Sequence, residues 1–271
     1  MPTLLEIENL SIEYRIKDGT VRAVREVNLR LEAGEILAIV GESGAGKTTV
    51  GLGLLGILPR QAETTSGRIR LEGRDLDELS DEEMRLVRGD TMSMIFQDPV
   101  AGLNPIVEVG KQVEEVVASH RKVDRREARE LALDALRAMR LPDPERIARS
   151  FPGELSGGMC QRVMIAIATV LNPKILVADE PTSALDVTVQ AQILDQLVRL
   201  REQSGTAIIL ITHDMGVVAQ IADRVVVMYA GSIAEAADVR SLFKVPRHPY
   251  TWALLDTLPR LDRRRDRRLR Q

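Results

Sequence analysis

The stretch that decides the fold is EILAIVGESGAGKTTVGLGLLGIL, residues 35–58. A short apolar run leads into a glycine-rich turn, and a second apolar stretch continues to Pro59. Residues 41–48, GESGAGKT, fit G-x-x-x-x-G-K-[ST], and the flanking runs read as the strand and the helix that the pattern needs. Gly41, Gly44 and Gly46, with Glu42, Ser43 and Ala45 between them, let the backbone approach phosphate oxygens with several N–H groups turned inward. Lys47 then neutralises β- and γ-phosphate charge, and Thr48 places a hydroxyl on Mg2+. The helix is expected to run from this loop to Pro59, where a donor is lost.

Working outward, the other apolar runs sort into two kinds. LLEIENLSIEY, VRAVREVNLRLEAG and SGRIRLEG, within the first 73 residues, alternate apolar and polar positions and read as short strands with one wet face. MSMIFQD, KILVADEP, AIILITHD and RVVVMYAG are near-continuous and rich in Ile, Val and Leu, like EILAIVGE itself. Such runs suit strands buried on both faces of a parallel sheet. Between them, Ala128, Leu131, Ala132, Ala135, Leu136 and Met139 recur at helical spacing. Most of 108–150 is therefore expected to be helical, ended by Leu141-Pro142-Asp143-Pro144 and inserted between two sheet strands.

The 271 residues are 44% apolar, which fits a soluble globular chain with a real core. The longest nearly apolar run, VGLGLLGIL, is far short of the roughly 20 residues of a membrane span. MPTLLEIENL has no basic n-region, so no secretory signal is expected. One cysteine, Cys160, excludes an internal disulfide; it reads as a small packing residue. A net charge of −3 argues against a nucleic-acid partner. The last twelve residues, RLDRRRDRRLRQ, oppose that charge with seven arginines against two aspartates. They read either as a solvated tail or as a segment drawn to anionic lipid headgroups.

Two further stretches carry chemistry. LSGGMCQR, residues 155–162, sets a serine and two glycines before the helix-like run VMIAIATVL. That layout is an anion-holding helix N-terminus, a second phosphate cradle in one small chain. KILVADEP, residues 174–181, ends a buried strand in Asp179 and Glu180. Ligands of open parallel sheets gather at strand carboxyl ends. Asp179 could there hold Mg2+, and Glu180 could polarise a water for in-line attack, unless both are simply acids at a solvent-facing strand end.

GESGAGKT, the glutamine of MIFQDP, LSGGMCQR, LVADEPTSALD and ITHD stand in the order found in ATP-binding-cassette (ABC) ATPases, and the resemblance covers nearly the whole chain. It implies an α/β P-loop NTPase: a mainly parallel core sheet, an N-terminal antiparallel β subdomain and an inserted helical subdomain of about 98–160. Residues 1–259 would form the ATPase domain and 260–271 a basic tail. By the same resemblance Tyr14 stacks on adenine, and Gly41 to Thr49 hold the phosphates. Gln97 senses Mg2+ and the attacking water. Ser156, Gly157 and Gly158 form the family signature. Asp179 holds the metal, Glu180 is the catalytic base, Ser183 to Asp186 cross between partners, and His213 contacts the γ-phosphate. The bland readings remain beside these: Tyr14 as a strand aromatic, Gln97 as a turn residue, His213 as a cap of the next helix.

The resemblance also answers why two cradles are present. In this family two domains pair head to tail, and each signature closes over the ATP held by the other. Met159 departs from the commonest signature and points to a subfamily. FQDPVAGLNP, HDMGVVAQIADRVVVMYAG and RHPYTWALL look like the oligopeptide, dipeptide and nickel importers, and the front half like the first of their two ATPase subunits. Members often continue into a cysteine-rich segment that holds an iron–sulfur cluster; with Cys160 alone, no cluster is expected here. The implied protein hydrolyses ATP with Mg2+ and energises a membrane importer. Its partners would be a second ATPase subunit, permease subunits at the cytoplasmic face of the cell membrane and, indirectly, an extracytoplasmic solute-binding protein. The alternative is a soluble ABC ATPase of DNA repair or translation. The lack of a heptad array over 49–154 and the single cassette speak against it.

Overall fold

The computed structural model describes residues 3–183 and 185–256. The alternating N-terminal segments build an antiparallel sheet. β1 (Thr3–Ile16) and β2 (Gly19–Glu32) form a hairpin of two 14-residue strands, longer than their interrupted patterns predict, because bulges absorb the breaks in alternation. Next in the chain comes β3 (Ile36–Val40), the fully buried strand before the phosphate loop, which joins a different sheet. The first sheet is completed by β4 (Ala62–Leu71) on β1 and by β5 (Arg74–Asp75), giving the order β2-β1-β4-β5.

The loop leads into α1 (Lys47–Leu54), which stops short of Pro59. Two interior glycines weaken it, and Gly56 turns left-handed at φ 61°. α2 (Asp81–Leu86) starts at a Ser80–Glu83 capping box and leads to β6 (Met92–Ile95). The helical insert follows as α3 (Val109–His120), α4 (Arg125–Ala138) and α5 (Pro144–Ile147). α4 ends before the proline pair expected to stop it: Arg140 adopts φ 52°, and Pro144 instead opens α5. α6 (Gly157–Thr169) returns the chain to β7 (Ile175–Asp179). Then come α7 (Val187–Ser204), β8 (Ala207–Thr212), α8 (Met215–Ile221), β9 (Arg224–Tyr229), β10 (Ser232–Asp238), α9 (Val239–Lys244) and α10 (Pro249–Asp256).

The second sheet has the order β10-β9-β3-β8-β7-β6 and is parallel throughout except for β10 at its edge. Every residue of β3, β7 and β8 is buried, as near-continuous apolar strands require. One face packs with Val50 and Leu54 of α1 and with Leu5, Ile7 and Ile12 of the first sheet. The other carries Leu176, Ala178, Ile208 and Leu210 against Val163 of α6 and Leu136 of α4. Near β9, Ala38 and Val40 meet Met215, Val218, Leu242 and Leu255. Each such Leu, Ile or Val contributes about 1.5–3 kcal/mol when fully buried. Among the described residues no helix is long and apolar enough to cross a membrane.

Register sets the site. Val40 pairs with Thr212, Asp179 with Ile211, and Ile95 with Ala178. The residues that leave these strands, Gly41, His213, Glu180 and Gln97, therefore emerge along one carboxyl edge.

Candidate functional site

The phosphate loop is held by close backbone approach. Gly41 has φ 152°, and a Cβ on it would lie 2.3 Å from the Met228 carbonyl oxygen. At Gly46, φ 97°, a Cβ would lie 2.2 Å from that of Ala23. Only glycine fits either place. Lys47 is buried at the start of α1, and its ammonium donates to the carbonyls of Gly41 (2.8 Å) and Glu42 (2.9 Å). Burial lowers the Lys47 pKa, while the charges of Glu180 and Asp179 pull it back up. Glu42 and Ser43 are exposed, and Ala45 donates to the Glu42 carbonyl. Tyr14, half-buried on β1, brings its hydroxyl to 3.3 Å from Thr49 Oγ1. The strand aromatic thus stands beside the loop helix and packs partly into the core.

Asp179 is 1% exposed at the end of β7. Burial raises its pKa and the charge of Glu180 adds to that rise; a Thr48 hydrogen bond and the Lys47 charge oppose it. Its Oδ1 is buried without a hydrogen-bond partner. An orphaned anionic oxygen beside a loop threonine fits a hard divalent cation, which accepts one or two carboxylates and completes its shell with phosphate and water. Gln97, exposed two residues past β6, stands on the same edge.

Glu180 leaves the strand with φ 49°, a left-handed conformation unusual for glutamate, and its amide donates to Ile211 O. That turn aims its side chain at His213, whose Nδ1 lies 2.7 Å from Glu180 Oε1. His213 is not the cap of α8. Asp214 fills that place, accepting from the amides of Gly216 and Val217.

The structure brings the loop, Asp179, Glu180, His213 and Tyr14 together. The signature stands apart. Ser156 N-caps α6 by accepting from the Met159 amide, and no hydrogen bond or ion pair found among the described residues joins 156–158 to the phosphate loop. Gly157 is exposed, and a Cβ on it would meet nothing within 4 Å. Cys160 is buried, donates weakly to Pro152 O, and burial raises its thiol pKa; it packs rather than reacts. Asp186 N-caps α7 through Thr188 and Val189. Ala184, in the same loop, and the basic tail, 260–271, lie outside the described residues.

One residue escaped the sequence reading. Tyr250 accepts a hydrogen bond from the Glu42 amide at 3.0 Å across 208 positions of chain, with its ring 4.5 Å from that of Tyr229. The HPYT stretch was visible as a mark of kinship, but its role shows only in three dimensions.

A phosphate loop, a buried metal-seeking aspartate and a histidine-held glutamate on one sheet edge define a P-loop nucleoside triphosphatase, and the separate helix α6, capped by Ser156 and opening on Gly157 and Gly158, narrows the class to ATP-binding cassettes. The sequence matches the family described as ABC transporter over residues 24–183, and the oligopeptide/dipeptide transporter C-terminal region over 234–271. It is 50% identical to the oligopeptide transport ATP-binding protein OppD of Bacillus subtilis, over 96% of this chain and 73% of that one. Identity to the dipeptide transport ATP-binding protein DppD of the same organism is 48%, over 97% and 78%. Among solved structures, a dimeric ATP-binding cassette in a post-hydrolysis state with ADP and Pi superposes with a TM-score of 0.79, at 29% identity over 88% of this chain and 99% of that one. This chain belongs to the ABC transporter family, as an ATP-hydrolysing cassette.

Proposed function

We propose that the chain is the ATPase subunit of a peptide importer, working as one of two paired cassettes against permease subunits at the cytoplasmic face of the cell membrane. The observation that carries the peptide reading is the reach of the likeness, about half of all residues along nearly the whole chain, including the HPYT segment. The partner cassette is a second copy or a related subunit. Cargo, a peptide or a related solute such as nickel, is selected by the permease and by an extracytoplasmic solute-binding protein that this chain meets only indirectly.

Residues 1–259 then act as one ATPase domain, with about 98–160 as its helical subdomain and 260–271 as a basic tail. Phe96, Val100, Ile106 and Phe151 expose apolar side chains after β6 and beside the signature, which supports a permease contact near Gln97. In the nucleotide site, Lys47 and the loop amides bind the β- and γ-phosphates. Thr48, Asp179 and Gln97 would hold Mg2+, which supplies charge neutralisation on those phosphates. Glu180 takes the proton of the attacking water, and His213 fixes the Glu180 carboxylate and reaches the γ-phosphate. Tyr14 stacks on adenine.

Ser156 with the Gly157 and Gly158 amides closes on the γ-phosphate of the paired chain, the Asp186 loop lying at that seam. Open space around Gly157 supports this role. No atom of the described residues lies within 4 Å of a Cβ placed there, which leaves room for an approaching phosphate.

Reconstitution tests the reading. The co-expressed permease and this chain, in vesicles, should hydrolyse ATP faster when peptide-loaded binding protein is added outside. Stimulation by DNA or ribosomes, with none by peptide, overturns it.

A further inference from the structure

We propose that Tyr250 is a positioning residue for nucleotide binding, its hydroxyl fixing the peptide unit that anchors the loop lysine. The unit joins Gly41 to Glu42. Its carbonyl accepts from Lys47 Nζ at 2.8 Å, and its N–H donates to Tyr250 Oη at 3.0 Å. A peptide is planar and stiff, so its two ends turn together. Rotation that releases the tyrosine also swings the carbonyl away from Lys47.

The tyrosine is itself firmly seated. Its ring packs against Tyr229, at the end of β9 and two residues past the stretch paired with β3. The turn before α10 is tied to β10 through Glu235, which accepts from the amides of Arg247 (2.9 Å) and His248 (3.0 Å). His248 Nδ1 accepts from the Tyr250 amide at 3.1 Å. Burial alone raises the Glu235 pKa, but the hydrogen bonds from the two amides oppose it, and the carboxyl sits below its ordinary pKa. Leu255 of α10 shares a core with Ala38 and Val40, the strand residues just before the loop. Residues of the HPYT stretch thus divide the work: His248 holds the turn, Pro249 opens α10, and Tyr250 holds the loop.

With its N–H given to Tyr250, Glu42 has no backbone donor left for phosphate, so Tyr250 acts through the loop and not on the nucleotide. Without its hydroxyl the loop samples other peptide orientations, and apparent affinity falls with the population of the competent one. The inference rests on the loop binding ATP, which titration of the wild-type chain reports by itself.

The test is Tyr250→Phe, which keeps the ring and removes the acceptor. Dissociation constants for ATP and ADP should both rise about two- to tenfold, the span of one ordinary hydrogen bond. KM for ATP should follow, kcat at saturation should stay near wild type, and hydrogen exchange at the Glu42 amide should quicken. Tyr229→Phe, which leaves the loop bond intact, should change none of these. Unchanged affinity and unchanged Glu42 exchange in Tyr250→Phe overturn the proposal, as does an equal shift in Tyr229→Phe or a fall in kcat alone.

Discussion

His213 holds Glu180. The imidazole nitrogen lies 2.7 Å from the carboxylate oxygen, the histidine side chain 66% exposed and the glutamate 11%. An ionised carboxylate has no proton to give, so Nδ1 carries the hydrogen and Nε2 is the ring's remaining polar atom. The left-handed turn at Glu180 sets this relation, since an extended residue there would continue along β7. Strained backbone of this kind persists where the surroundings over-determine it, here through the Glu180 amide on Ile211 O.

Glu180→Gln keeps an oxygen for the Nδ1–H and removes the charge that takes a proton. Hydrolysis by the assembled transporter should fall about 10²–10⁴-fold while ATP still binds, and an ATP-loaded pair should accumulate. Steady-state turnover within twofold of wild type would show that Glu180 is not the base.

Asp179 trades stability for function. Its folded pKa is raised by burial above the unfolded value of about 3.9, so the native chain binds the proton more tightly than the unfolded chain does. Stability is therefore favoured below that unfolded value and is lost as pH rises through the folded pKa. At neutral pH the nucleotide-free Asp179→Asn chain should melt higher, by about 2–4 °C for each kcal/mol of charge burial relieved. The gain should vanish in acid, and Mg2+-dependent hydrolysis should be lost. A lower melting temperature at pH 7 with full activity refutes this account of the orphaned oxygen.

The sheet logic was legible because a parallel core leaves no alternative to continuous apolar runs, as β3, β7 and β8 show. The loop motif at Lys47 and Thr48 and the apolar run ending in Asp179 were legible as separate local patterns, and a parallel sheet brings such strand ends to one edge. Helix ends were less so: α1 and α4 stop at left-handed turns, at Gly56 and Arg140, that compete with the prolines further on. The pairings of Glu180 with His213 and of Glu42 with Tyr250 span 33 and 208 positions, and no local pattern encodes such distances.

Lys47→Ala and Tyr14→Ala separate charge from stacking. Losing Lys47 removes the cation nearest the phosphates and should weaken ATP and ADP binding strongly. Losing Tyr14 should cost less, about 1–3 kcal/mol, if a base stacks on its ring. Tyr14→Phe should bind like wild type, because stacking needs the ring and not the hydroxyl beside Thr49. Calorimetric titration that finds equal affinity in all three variants and the wild type removes the site.

Ser156→Asp tests the second cradle. The substitution keeps a good N-cap for α6, so the fold should hold. It also puts a negative charge where the γ-phosphate of a paired chain must arrive. Two like charges about 4 Å apart repel by about 4 kcal/mol at an effective dielectric near 20, so closure should fail. The phosphate loop, which shares no described hydrogen bond with Ser156, should be untouched. Monomeric Ser156→Asp should thus bind ATP like wild type, yet neither pair nor hydrolyse. Mixing chains sharpens the test. Ser156→Asp with Lys47→Ala leaves one composite site whole, built from the loop of the first and the signature of the second, while the other site carries both defects. ATP should persist at the whole site, and turnover there should exceed that of either variant alone. If Ser156→Asp abolishes ATP binding by the isolated chain, the signature serves its own loop, and the two cradles do not belong to two chains.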